Sequence, residues 1–235
     1  MQTYFYQLSD LLQSRLSGSE MFTVSFAGET SNFVRFNKAK VRQPGTITQQ
    51  SVSIRLIEDG RHASISVDLS GSLEKDTVLL ENVLTKLRER LPYLPQDPHL
   101  LINQTVSSSE RIDPNQLIPA ADMVDQISTS CSGLDMVGIL ASGSLCFGFS
   151  NSLGQRNWFS TSNFNLDWSL VYSTDKAVKS TYAGREWSNA GFASKMEMAR
   201  KKLQALAKPA KKLQPGQYRV FLTPEALWEI LSLMN

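Results

Sequence analysis

The chain is predicted to be an α+β protein of antiparallel β-hairpins and sheets packed with amphipathic helices. In residues 49–69, QQSVSIRLIEDGRHASISVDL, apolar and polar side chains alternate on both sides of Asp59 and Gly60, as in a tight-turned hairpin with one buried face. Phe5, Leu8, Leu12 and Leu16, and later Leu80, Leu84, Leu87 and Leu91, recur at helical spacing instead. A helix, two hairpins and a helix make one α+β layer, and a second run of alternating stretches follows it.

Taken in order, the first helix ends near Gly18 and needs a sheet to cover its apolar stripe. Phe22, Val24 and Phe26, then Val34 and Phe36, predict a first hairpin with its turn at Gly28. Residues 37–48 carry Lys38, Lys40 and Arg42 before Pro44 and Gly45 and read as a basic, partly extended connection. In the hairpin that follows, Val52, Ile54, Leu56, Ala63, Ile65, Val67 and Leu69 form the buried row. Residues 73–90 are helical, with Glu81, Lys86, Arg88 and Glu89 off the apolar face.

Pro92, Pro95 and Pro98 then end regular structure, and the residues up to Asp113 read as a long surface connection. Asp113 as N-cap and Pro114 at the first helical position open a helix running to Ser130, with Leu117, Ala121, Val124 and Ile127 apolar; Pro119 inside it displaces the start by up to a turn. Ile139, Leu145, Phe147 and Phe149 predict strands around a Ser142, Gly143 turn, and Phe164, Leu166, Trp168, Leu170 and Tyr172 predict a long strand. TYAGREWSNAGF reads as a loop, and a helix with Phe192, Met196, Ala199, Leu203 and Leu206 on one face ends before Pro209. QYRVFL is a short strand, and Thr223 and Pro224 open a last helix carrying Leu227, Ile230 and Leu231. The predicted organisation is an α+β region at 1–92, an irregular linker at 93–113, a second α+β region with long antiparallel strands at 114–215, and at 216–235 the start of a C-terminal domain, expected to be truncated.

Composition narrows the function classes. The chain has 235 residues, is 41% apolar, and carries 24 basic against 22 acidic residues for a net charge of +2. That is ample for a core and too balanced to imply nucleic acid or an anionic membrane by total charge. Cys131 and Cys146 are the only cysteines and read as buried or free thiols. No apolar run of membrane-spanning length and no signal peptide is seen, so the expected location is cytoplasmic, without a membrane partner.

Catalytic patterns are absent. His62 and His99 are the only histidines, and neither a His-Glu-x-x-His nor a Cys-x-x-Cys motif occurs. Ser142 and Ser152 lie in expected turns without an identifiable base, no glycine-rich phosphate loop follows a strand, and Glu58 and Asp59 read as turn chemistry. No catalytic, cofactor or metal-binding residue is assigned.

Two basic groups form a candidate anion or partner surface: Lys38, Lys40 and Arg42, and Lys201 and Lys202 within a run from Lys195 to Arg219. The functional reading is anion or phosphate-backbone contact. The plainer and preferred reading is solvated charge, on a strand edge in the first case and on the polar face of a helix in the second.

Four stretches together resemble the TldD/PmbA (TldE) family, whose members are also named modulators of DNA gyrase. They are SNFVRFNKAKVRQ with SVSIRLIEDGRHAS, then FSNSLGQRNWFSTSNFNLDWSLVY, the helix before Pro209, and PGQYRVFLTPEALWEIL. The resemblance implies a zinc peptidase system working as a TldD/TldE heterodimer on peptides. It also implies a His-Glu-x-x-x-His motif whose first ligand would fall near Ser232, where this chain has no histidine. The implied role is therefore the N-terminal region of a PmbA/TldE-like, non-catalytic subunit in peptide processing or protein degradation. Zinc is expected only on a ligand-bearing partner, and the partners are a TldD-like catalytic subunit or a second copy, with a peptide substrate. The alternative is a nucleic-acid or gyrase-associated module using residues 195–219, although nucleic acid is the less favoured partner.

Overall fold

Among the described residues, seven strands and five α-helices follow one another as helix α1 (Gln2–Ser14), strands β1 (Met21–Asn37), β2 (Lys40–Glu58) and β3 (Arg61–Asp68), helix α2 (Leu73–Arg90), strand β4 (Ser109–Ile112), helix α3 (Ala120–Ser130), strands β5 (Asp135–Asn151), β6 (Arg156–Ser173) and β7 (Lys176–Gly184), and helices α4 (Asn189–Leu206) and α5 (Pro224–Leu231). This computed structural model describes residues 1–234, Glu225 by its backbone alone; Asn235, the last residue of the predicted 216–235 region, lies outside the described residues. The strands are ordered β3-β2-β1-β5-β6-β4, with β7 also on β6, in an antiparallel sheet to which β4 adds a parallel pairing with β6. The predicted α+β class is the observed one.

The chain forms two compact units, each assembled from three separated segments. The first comprises Met1–Ser31, Thr46–Asn115 and Gly143–Ser162; the second comprises Asn32–Gly45, Gln116–Ser142 and Asn163–Asn235.

In the first unit the apolar stripe of α1 is fully buried at Phe5, Leu8 and Leu12, against Phe22, Val24, Phe26, Cys146 and Trp158 of the sheet. Phe5 sits 5.3 Å from the Phe26 ring and 6.2 Å from that of Trp158. Burying the three α1 side chains contributes on the order of 6 kcal/mol. Leu80, Leu84 and Leu87 of α2 and Leu91 just beyond it complete the same core, as their spacing predicts. The hairpin of residues 49–69 forms as expected: Glu58 pairs with Arg61, Ser51 pairs with Asp68, and Asp59 and Gly60 take φ of 48° and 73° in the tight turn.

In the second unit α3 and α4 supply Met123, Ile127, Phe192, Met196 and Ala199 to a core with Phe164, Leu166, Trp168 and Leu170 of β6. Trp187 joins it, 4.9 Å from Phe164 and 5.2 Å from Phe192, with its indole N–H donating to Gln126 Oε1 at 2.8 Å. Cys131 and Cys146 are buried free thiols, one in each unit.

Several local expectations are corrected. Gly28 is not a turn but the middle of β1, where a Cβ would come within 2.7 Å of Cys146 Sγ. The reversal falls at Lys38 and Ala39, with φ of 51° and 58°, and the basic connection at 37–48 is that turn followed by the exposed first half of β2. Ser142 and Gly143 are likewise strand, in β5, where a Cβ on Gly143 would overlap the carbonyl oxygen of Thr30.

On β5 the buried row is Met136, Leu140, Ser142, Cys146, Gly148 and Ser150, so Ile139 and Phe147 are exposed and Leu145 and Phe149 only half-buried. For residues 145–150 the reason is spacing. α1 lies so close to this strand that Ser9 Oγ donates to Ser150 Oγ at 2.7 Å and a Cβ on Gly148 would touch the Phe5 ring at 2.5 Å, leaving room only for small side chains beneath the helix.

The linker at 93–113 contains the short strand β4, and α3 begins at Ala120 behind Pro119 instead of at Pro114. TYAG belongs to β7, and QYRVFL forms no strand. The last helix forms behind Thr223, whose hydroxyl accepts from the Ala226 amide.

Candidate functional site

The strands of the second unit have two unlike faces because side chains alternate along each of them. Val34 and Phe36, Met136 and Leu140, Leu166 and Trp168, and Val178 point into the core. The residues between them, Arg35 of β1, Val137 and Ile139 of β5, Asp167 and Ser169 of β6 and Lys179 of β7, line an open cavity of about 560 Å³, joined by Arg42 of β2. Three cations and one carboxylate therefore surround a floor of two aliphatic side chains.

The reversal at Lys38 and Ala39 presents this face. A left-handed conformation at two non-glycine residues is unfavourable, and burial of Ala39 together with its amide bond to Met136 O at 3.0 Å offsets it. Lys38 and Lys40 project into solvent at the turn, while Arg42 belongs to the cavity.

Within the cavity, Arg35 lies over the Phe33 ring at 5.3 Å. Lys179 stands directly opposite Ser169 in the β6–β7 pairing and its Nζ is 3.5 Å from Glu229 Oε1 of α5, so the rim already holds a carboxylate. Asp167 Oδ1 is buried with no hydrogen-bond partner among the described residues. The arrangement suits an anionic group at the rim, apolar matter over Val137 and Ile139, and an N–H or O–H donor for Asp167.

The second predicted basic group lies elsewhere. Lys201 is exposed on α4 and paired to Glu197 Oε1 at 2.6 Å, Lys202 is half-buried, and Arg200 donates to Ser130 O at 2.5 Å. Among the described residues no hydrogen bond or ion pair joins Lys38, Lys40 or Arg42 to Lys201 or Lys202. Sequence reading found Arg42 but missed Arg35, Asp167 and Lys179. The available signal was that each charge occupies the polar phase of a strand whose other phase is strongly apolar.

The first unit carries a smaller cavity of about 350 Å³ lined by Glu29, Gln49, Asp68, Leu145 and Phe147, among others. Both Glu29 oxygens are taken there, by the Ser31 hydroxyl at 2.5 Å and the Gln49 amide at 2.8 Å. His62 Nε2 is 3.2 Å from Asp97 Oδ2, and the amide of His99 and then His62 hold the Asp97 carboxyl below its ordinary range. That pair ties the segment after α2 to β3.

Ser232, the position that the resemblance assigns to a first zinc ligand, donates its hydroxyl to Glu229 O at 2.9 Å, and a serine does not fit that role. Among the described residues no group of three or more His, Cys, Asp or Glu side chains could hold a metal ion. No described helix is long and apolar enough to cross a membrane.

The fold has solved counterparts. A putative modulator of DNA gyrase from Bacteroides thetaiotaomicron superposes with a TM-score of 0.67 at 14% identity, over 99% of this chain and 55% of that one. A putative modulator of a DNA gyrase from Thermotoga maritima gives 0.58 at 11% identity, and TldE from Thermococcus kodakarensis 0.56 at 14%, each over 86% of this chain and 47% of the other. The chain thus spans about half the length of the solved structures it matches. No family model and no curated protein matches it.

Proposed function

We propose that this chain is the N-terminal region of a PmbA/TldE-like subunit, a non-catalytic component of a cytoplasmic zinc-dependent peptidase that shapes the peptide cavity and the dimer. The zinc would be carried by a TldD-like partner, and the assembly would be that heterodimer or, failing it, a self-dimer. The observation that carries the reading is the fold shared with TldE over 86% of this chain. The four sequence stretches quoted above support it in their order along the chain.

The test is co-purification of the tagged chain with a ligand-bearing TldD-like protein, followed by peptide hydrolysis with and without a chelator. Recovery of a partner, with hydrolysis that needs both chains and stops on chelation, is expected. Failure to recover any partner, or equal hydrolysis by the partner alone, overturns the reading.

The alternative, a nucleic-acid or gyrase-associated module over residues 195–219, has less support, because Arg200 and Lys201 are already engaged within the chain. Salt-dependent DNA retention that drops on charge reversal of Lys201 and Lys202 would favour it.

A further inference from the structure

The cavity of the second unit has a composition that selects among ligands. We infer that it binds the carboxy-terminal end of an extended peptide, a terminal carboxylate with an amide N–H one residue back. This stands on the cavity itself and needs neither the partner nor the metal of the subunit reading, so each can fail without the other.

Arg35, Arg42 and Lys179 against Asp167 and the rim carboxylate of Glu229 leave the site at a formal charge of about +1. An anion is therefore favoured, and arginine matches a carboxylate with two parallel N–H donors. Lys179 already stands 3.5 Å from the Glu229 carboxylate of the same chain, which shows the kind of group that the rim accepts.

Inorganic phosphate fits less well on two counts. It would leave the aliphatic floor of Val137 and Ile139 uncovered, and any O–H that it gave the buried, unpartnered Asp167 oxygen would bring about one to two negative charges against that carboxylate. An apolar side chain covers the floor, and an amide N–H satisfies Asp167. Asp167 lies two residues from Ser169, the direct partner of Lys179, on the same strand face, hence about 7 Å along the strand. That is the span from a terminal carboxylate to the amide of the preceding residue in an extended chain, whereas the N–H of an N-acyl amino acid lies within about 4 Å of its own carboxylate and cannot bridge both groups.

The experiment is fluorescence anisotropy with this chain and a labelled peptide ending in leucine, compared as the free acid and as the C-terminal amide, with N-acetyl-leucine and inorganic phosphate as competitors. The free acid is expected to bind, and amidation to weaken it by about tenfold, the effect of one charge-assisted hydrogen bond. Arg35→Gln and Arg42→Gln, both at exposed positions, should each weaken the free acid by a similar factor. Lys201→Gln on α4 should leave it unchanged. N-acetyl-leucine, whose single N–H is too near its carboxylate to reach Asp167 as well, should displace the peptide only weakly, and displacement at equal affinity overturns the inference. Equal binding of acid and amide, displacement by phosphate at an affinity equal to the peptide's, or no free-acid binding at about 1 mM chain also overturns it.

Discussion

Arg88 of α2 donates through Nε and Nη2 to the two carboxylate oxygens of Glu20, each at 2.7 Å, while the same Nη2 also reaches the carbonyl of Arg15 at 2.6 Å. The Glu20 side chain is 5% exposed, so the pair locks the segment between α1 and β1 onto α2 with a charge out of solvent. Removing Arg88 strands that carboxylate. Arg88→Met should destabilise the chain by about 3 kcal/mol, read as a lower urea midpoint at neutral pH. The Arg88 bonds hold the Glu20 carboxyl below its ordinary value, against the opposing effect of burial. A carboxyl lowered on folding contributes stability that is fully present above its unfolded pKa and is lost as pH falls through the folded one. The gap between wild type and Arg88→Met should therefore narrow below about pH 4.

Asp76 is a second buried carboxylate, 1% exposed, that accepts the amides of Ser70 and Gly71 at 3.0 Å each and the hydroxyl of Tyr4. Burial works to raise its pKa, but these bonds prevail and the carboxyl is lowered; the Tyr4 hydroxyl is raised, by burial first and then by Asp76. Asp76→Asn should cost about 2–3 kcal/mol and Tyr4→Phe about 1 kcal/mol. A double-mutant cycle in thermal unfolding should show the two losses to be less than additive, since they share one contact.

Gly143 and Gly45 separate two uses of glycine within β-structure. An alanine Cβ at 143 would overlap the Thr30 backbone, which cannot swing away, whereas at 45 it meets nothing within 4 Å. Gly143→Ala should destabilise by about 3 kcal/mol and Gly45→Ala by well under about 1 kcal/mol, compared by denaturant midpoints.

The two thiols should be inert in the folded chain. Burial pushes Cys131 up to about 11, offset only in part by Arg200, and Cys146 is raised for the same reason. At pH 8 about a thousandth of Cys131 is thiolate. Titration with a thiol-reactive disulfide reagent should label neither cysteine in minutes under native conditions and both in guanidinium.

Much of the fold was legible where local chemistry and tertiary packing agree. The turn at Asp59 and Gly60 has the residues that its dihedrals require, and the leucines of α2 have the period of the face they bury. Lys38 and Ala39 were not legible as a turn because neither residue type favours positive φ; burial of Ala39 and its bond to Met136, both tertiary, support them there. The candidate cavity was legible at one of its four charged residues. Arg42 stood out in a basic run, while Arg35, Asp167 and Lys179 are separated along the chain and gathered only by strand pairing.

Periodicity and turn chemistry by themselves determined the α+β class, α1, α2, α4 and the hairpin of residues 49–69, because each depends on contacts within a few residues. What only tertiary structure decided is which face of β5 is inside. At its C-terminal end the larger side chains Leu145, Phe147 and Phe149 argue for one face, yet Cys146, Gly148 and Ser150 occupy the other, buried one. A hydrophobic pattern assumes that the bulkier side is buried. Where a helix approaches a strand to hydroxyl-to-hydroxyl distance, the available volume overrides apolarity, and that distance is set by Ser9 meeting Ser150 across 141 positions of chain.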